Sequence, residues 1–340
     1  MQSPKRRTLL LSLLALLPGR PLLAAVAARR RGASPTFAVP RVIVPAGASD
    51  RDRGVAEACE RALSGARGAV VAMDPWSGRV IALVNPSEAL FRAYQPCSVF
   101  KIVVGIAGLS EGVITPETTY TCEKGCWMWP GHGPISLRRA LAVSCNPYFQ
   151  WVGERLGYDK VQHYAHLFGL GERSGINLAG ETAGVVPAKV RPDAVALLSS
   201  HAEGIATSAV QLGVLISSVV NGGIVFQPQV GAADGFTPKE RWRLPESTRL
   251  LGLQEGFLGA VNEGSAMPAF DPDVVVAGKT GSCAQLGWFA SYAPADKPEV
   301  VIVVFLRHGN GHGASAVAGR IYQDLFKPPA SAPLVTSGTR

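Results

Sequence analysis

Apolar side chains at Val70, Val71 and Met73, and again at Val80, Ile81, Leu83 and Val84, flank the turn-forming stretch Asp74, Pro75, Trp76, Ser77 and Gly78. That pattern predicts a β-hairpin. A second hairpin is predicted near the other end of the chain. There residues 288–292 and 300–306 flank a turn containing Pro294 and Pro298, and residues 274–279 supply one more strand. Between the two hairpins the pattern turns helical, with readable limits. Residues 98–111 end at Gly112, Ser136 caps residues 137–143, and residues 147–156 begin with Pro147 and end at Gly157. Residues 161–167 precede Gly169, and residues 208–220 end at Asn221 and Gly222. Strands from both chain ends have to meet in one sheet around the helical middle. The fold class expected is α+β, an antiparallel sheet of about five strands from both chain ends with an inserted helical lobe.

Composition adds size: 340 residues, 47% of them hydrophobic, suffice for a substantial core. Charge changes the picture more. The chain carries a net charge of +8, and seven of those charges (Lys5, Arg6, Arg7, Arg20, Arg29, Arg30 and Arg31) lie in residues 1–31, which contain no acidic residue. The remainder is nearly neutral, so no nucleic-acid partner is expected. The basic start, the apolar run at residues 9–17 and the small residues around Ala25 and Ala27 follow the plan of an export signal. Nine apolar residues are too few for a span, which needs about 20. Residues 1–27 are therefore read as an export signal that places the protein in the periplasm or on the outer face of the cytoplasmic membrane. Arg6 and Arg7 leave the route open. Residues 28–53 read as a linker, 54–326 as one catalytic unit and 327–340 as a disordered tail.

Three short motifs carry the candidate chemistry: Ser98-Val99-Phe100-Lys101, Ser144-Cys145-Asn146 and Lys279-Thr280-Gly281. Ser98 and Lys101 share one face of a helix, and Ser98 falls in its first turn, where free N–H groups favour developing negative charge. Ser144 and Asn146 occupy a connection between helices. Gly281, at the end of a strand, has no side chain to hold a substrate backbone away.

The ordered set S-x-x-K, S-x-N, K-T-G resembles the penicillin-binding proteins and serine β-lactamases. Residues 107–120, 140–149, 168–180 and 211–223, with Gly131-His132-Gly133, narrow the likeness to class B transpeptidases of the elongation type, over roughly residues 54–326. The resemblance implies a β-lactamase/transpeptidase-like fold and a serine D,D-transpeptidase. Such an enzyme cross-links peptidoglycan stem peptides ending in D-Ala-D-Ala, is inhibited by β-lactams, works among cell-wall synthesis proteins and needs no organic cofactor. Ser98 is the expected nucleophile. Lys101 is its base, provided that burial and the charge of Lys279 depress its pKa. By resemblance, Ser144 relays the proton to the leaving amine and Asn146 holds Lys101 and the substrate amide. Lys279 supplies charge for the substrate carboxylate, with Thr280 and Ser282 adding hydroxyl donors. The backbone N–H groups of Ser98 and Ser282 form the oxyanion hole.

Relatives usually carry a sizeable region before the catalytic domain. The residues ahead of the first strand expected here are too few for one, so the chain reads as a stand-alone catalytic domain. Alternatives share the same acyl-enzyme: a D,D-carboxypeptidase, a serine β-lactamase or a non-catalytic β-lactam sensor. The β-lactamase alternative needs a deacylation base, and Glu181 lacks the Asn partner that resemblance to class A enzymes would imply for one.

Cys122, Cys126, His132 and Cys145 follow a C-x3-C-x5-H-x12-C pattern, which suits a closed structural Zn site. The other reading is a Cys122–Cys126 disulfide, as an exported chain permits. Cys97 and Cys283 are expected to pack near the site, and Trp127, Trp129 and Trp288 either to fill core or to line a groove. His163, His166, His201, His308 and His312 carry no expected chemistry.

Overall fold

The computed structural model describes residues 41–250 and 252–327. The expected export signal, residues 28–40 of the linker and residues 328–340 of the tail lie outside the described residues. In chain order the elements are β1 (Val42–Ile43), α1 (Asp50–Leu63), β2 (Gly68–Met73), β3 (Arg79–Val84), α2 (Pro86–Ala89), a 3-10 turn (Cys97–Phe100), α3 (Lys101–Ser110), β4 (Thr119–Cys122) and β5 (Gly133–Ser136). There follow α4 (Leu137–Ala142), α5 (Asn146–Leu156), α6 (Tyr158–Leu167), α7 (Val195–His201), α8 (Ala209–Val220), β6 (Ile224–Phe226), β7 (Gln229–Val230) and β8 (Glu240–Arg243). The chain closes with α9 (Gln254–Glu263), β9 (Ala277–Cys283), β10 (Leu286–Ala293), β11 (Val300–Arg307) and α10 (Gly311–Phe326). Among the described residues no helix is long and apolar enough to cross a membrane.

The main sheet runs β1-β3-β2-β11-β10-β9, with β7 pairing β3 off this path. Its five long strands are the five expected, antiparallel and drawn from both chain ends. Two very short strands enlarge it to seven, and one of them, β7, pairs in parallel. Both faces of the sheet are covered, which explains why the strands read as almost continuous apolar runs. Val71 and Met73 of β2 and Val303 and Phe305 of β11 join the core on the side of the helical lobe, where α8 packs on both strands. The alternate residues Val70, Ala72, Ile302 and Val304 pack with Cys59 and Leu63 of α1 and Val317 and Ile321 of α10.

The linker boundary needs correction. Residues 50–53 (Asp-Arg-Asp-Arg) look like a solvated linker, yet they form the first turn of α1. The Ser49 hydroxyl accepts the Asp52 N–H at 3.1 Å, and the Asp52 carboxylate accepts the Ser49 N–H at 3.4 Å. Asp52 is buried and takes two hydrogen bonds from the Arg79 guanidinium, at 2.9 and 3.0 Å, which tie α1 to β3. Burial alone would raise the Asp52 pKa; the Arg79 hydrogen bonds and charge outweigh it and hold the carboxyl below its usual range. Lys327, assigned to the tail, is likewise tied to the domain by Asp271 at 2.8 Å.

Ser136 does stand before α4, but its side chain makes no capping bond. Ser208 forms a complete capping box with Gln211 at the start of α8.

Candidate active site

The first motif lies where the 3-10 turn becomes α3, so Ser98 sits in an opening turn whose N–H groups lack helical acceptors. Cys97 just before it has a left-handed φ of 54°. β9 carries the third motif at the edge of the sheet and packs against the 3-10 turn. The reason for Gly281 differs from the one expected. A Cβ there would meet the Pro96 carbonyl oxygen at 2.6 Å, so the glycine lets the strand close on the nucleophile turn rather than making room for substrate.

The second motif links α4 to α5. Ser144 has a left-handed φ of 56°, unusual for a residue with a side chain, and this turn points its hydroxyl back toward both lysines. Lys101 Nζ donates to Asn146 Oδ1 at 2.7 Å and to the Ser144 carbonyl at 2.9 Å, and lies 3.1 Å from Ser144 Oγ. Lys279 Nζ meets the same Oγ at 2.9 Å and donates to the Thr280 carbonyl at 2.9 Å. Both lysines are 0% exposed. Burial lowers the Lys101 pKa to about 7, although the Cys145 and Cys126 thiols pull the other way. Burial, followed by the charge of Lys101, pushes Lys279 well below its ordinary value. A neutral Lys101 amine fits its surroundings: two N–H groups serve the two carbonyl oxygens and a lone pair faces the Ser144 hydroxyl.

Ser98, Ser144, Asn146, Thr280 and Ser282 line one cleft of about 640 Å³. Lys101 and Lys279 stand behind its wall. Lys279 meets Ser144 there, while Thr280 and Ser282 of the same strand line the cleft. Thr280 Oγ1 is held by Ser265 Oγ at 2.6 Å, and Ser282 Oγ accepts the Gly311 N–H at 2.7 Å at the start of α10. Arg139 and Glu263, paired at 3.3 Å, together with Met267 and His312 also line the cleft. No motif pointed to these four residues, because they meet there only through the packing of α4, α9, the 3-10 turn Met267–Ala269 and α10. Glu181 is not in the cleft lining. Its carboxylate accepts the backbone N–H groups of Ser174, at 2.7 Å, and Gly175, at 3.0 Å, which makes it a loop anchor.

The cysteines divide as follows. Cys97 and Cys283, expected merely to pack, form a disulfide. Cys122, Cys126 and Cys145 are free thiols, so the Cys122–Cys126 bridge is not formed. Their sulfurs and His132 Nδ1 all lie within 4.8 Å of one another. Cys126 Sγ is 3.3 Å and Cys122 Sγ 3.6 Å from that nitrogen. A tetrahedral zinc with ligand bonds of about 2.1–2.3 Å requires donor separations of about 3.5–3.8 Å, so the donor set fits. The hairpin of β4 and β5 brings these ligands together, and its tip carries Trp127 into the cleft lining. The Trp127 indole N–H donates to the Val143 carbonyl at 3.0 Å, one residue before Ser144. Trp288 is buried core, whereas Trp129 is 87% exposed.

Comparison with known proteins came to the same region of the chain. The family model described as penicillin binding protein transpeptidase domain matches residues 68–327. Peptidoglycan D,D-transpeptidase MrdA of Haemophilus influenzae is 27% identical over 338 residues, covering 75% of this chain and 52% of that protein. The crystal structure of Pseudomonas aeruginosa PBP2 in complex with WCK 5153 superposes with a TM-score of 0.70 at 22% identity, over 80% of this chain and 75% of that one. PBP2 of Helicobacter pylori, solved in complex with MreC, gives a TM-score of 0.70 at 18% identity, over 80% and 62%. The chain spans about half the length of the curated relatives it matches.

Proposed function

Because this chain belongs to the penicillin-binding protein transpeptidase domain family, we propose that it is a serine D,D-transpeptidase that cross-links peptidoglycan. The observation that carries the reading is the convergence of its three motifs: Lys101 and Lys279 both meet Ser144 Oγ behind a cleft that Ser98 lines. In the proposed cycle Ser98 Oγ attacks the carbonyl of the penultimate D-Ala. Lys101 Nζ takes its proton, exchanging a hydrogen bond to Ser144 for one to Ser98, a tightening common when substrate arrives. Backbone N–H groups of Ser98 and Ser282 stabilise the oxyanion. Ser144, supplied by Lys101 and Lys279, hands a proton to the amine of the departing D-Ala. Thr280 and Ser282 hold the terminal carboxylate, with Lys279 behind them. β9, as the last strand of the sheet, offers backbone groups near Ser282 to an extended stem peptide. An acceptor amine then attacks the acyl-enzyme, forming the cross-link and releasing Ser98. A β-lactam opens on Ser98 by the first half of the same cycle.

The finer assignments belong to the same proposal. The Cys122, Cys126, His132 and Cys145 cluster holds a structural zinc, supported by its donor spacing. Four protein ligands leave no open position, so the metal would fasten the β4–β5 hairpin to the second motif and take no part in acyl transfer. The leader-like residues 1–27 support export to the periplasm or the outer face of the cytoplasmic membrane. The H. pylori complex supports partners within the cell-wall synthesis machinery.

The test is intact mass spectrometry after a fluorescent penicillin, with Ser98→Ala as the control. A stable adduct on Ser98 supports the reading, and transfer of a D-Ala-D-Ala peptide to an added amine completes it. Rapid drug hydrolysis would point to a β-lactamase instead, and an unreacted Ser98 would overturn the reading. Native mass spectrometry should find one zinc per chain; a metal-free protein lighter by two hydrogens more than the Cys97–Cys283 bridge accounts for would exclude the site.

A further inference from the structure

The Cys97–Cys283 disulfide joins the residue before Ser98 to the residue after Ser282 across 186 positions of sequence, with Cα atoms 5.7 Å apart. Each half-cystine thus neighbours one of the two residues whose N–H groups are assigned to the oxyanion. Both anchor points are places where the backbone needs restraint. Cys97 holds a left-handed φ directly in front of the nucleophile. On the other side, Ser282 is an exposed residue near the end of an edge strand, and the strand turns immediately afterwards. That turn uses Ala284 at φ 43° and Gln285 at φ 64°, where tight hairpins ordinarily place Asn or Gly. Bonds from Gly309 N–H to the Gln285 carbonyl, at 2.9 Å, and from His308 to the Gln285 side chain, at 3.0 Å, hold the far side of the turn. On the cleft side the covalent tie is the bridge.

We propose that the Cys97–Cys283 bridge is a positioning device for oxyanion stabilisation. It holds the backbone N–H of Ser282 in register with that of Ser98, and its half-cystines act through these neighbours without touching substrate. The inference rests on the acyl-enzyme reading above. Ground-state binding depends chiefly on Thr280, Ser282 Oγ and the cleft walls, whereas the oxyanion exists only during reaction. Loosening the bridge therefore costs rate and spares affinity.

The test follows β-lactam acylation by stopped flow, separating the non-covalent dissociation constant from the acylation rate constant. In Cys97→Ser/Cys283→Ser the rate constant should fall about 10- to 100-fold, the loss typical of a misplaced oxyanion donor, with the dissociation constant within about threefold. Reduction of the wild-type protein gives a second arm if that variant folds poorly. A phosphine takes up oxygen from water to become its oxide while the disulfide becomes two thiols. The same fall should appear, reverse on reoxidation, and be absent when the double variant is treated alike, which separates the bridge from the Cys122, Cys126 and Cys145 thiols. In bridge-free protein that still melts cooperatively, from whichever arm, an unchanged rate constant or a fall matched by weaker binding overturns the proposal. Wild-type protein that never forms a Ser98 adduct overturns the underlying reading instead.

Discussion

The two lysines and the cysteine hairpin both meet the turn that carries Ser144, and they are held in place in different ways. Lys101 and Lys279 are enclosed by α3, α5 and the sheet, with the Phe149 ring centroid 5.5 Å from Lys101 Nζ. The hairpin has two four-residue strands and tryptophans at its tip that are 63% and 87% exposed. Cys122 and Ile135 tie its strands to the core, while its tip would depend on the zinc proposed at Cys122, Cys126, His132 and Cys145. The lysines are placed by burial and pay for it in pKa, which is what the proposed chemistry needs; the hairpin tip would be placed by the proposed metal. Ser144 belongs to both, since its lysine partners come from the core and its neighbours Val143 and Cys145 are tied to the hairpin.

The largest effect should come from the buried side. Lys101→Ala should slow β-lactam acylation by about 10³-fold, the loss of a general base, with circular dichroism unchanged. An acylation rate close to wild type would break the contrast. The pH profile comes next. With the Lys101 pKa lowered to about 7, acylation should rise nearly tenfold per unit up to that pH and level off above it, as the amine loses its proton. A profile rising only near pH 10 would mean an ordinary, solvated lysine.

On the hairpin side Cys126→Ser should abolish metal retention and slow acylation only about tenfold, because Ser144 loses support without losing its lysines. Metal content by plasma emission and acylation kinetics measure the two parts. Smallest of all, Trp127→Phe keeps the ring and removes the bond to Val143. A loss of about 1 kcal/mol, or roughly fivefold in acylation rate, is expected from titration with penicillin. A larger drop would mean that the indole also contacts substrate.

The five long strands and the three motifs were legible because each rests on local signals: alternation, turn residues and fixed short spacings. The α1 start was hidden because Asp50, Arg51, Asp52 and Arg53 look solvated until Arg79 arrives from β3 to neutralise Asp52. The Cys97–Cys283 pairing was equally hidden, since nothing near either cysteine announces a partner so distant in sequence. Lys279 was legible in its motif, but its bond to Ser144 was not, because it depends on the left-handed backbone of Ser144, which no pattern of residue types reveals.

Met73 pairs with Val301, so β2, at the centre of the sheet, waits for a partner strand that lies far downstream in the sequence. Such distant pairings make folding slow, and until they form the apolar faces of α3 and α8 have no sheet to cover them. β9 shares that dependence. It joins the sheet through β10, so Thr280 and Ser282 line the cleft only once the distant pairings are made, and the sheet and the site are completed together.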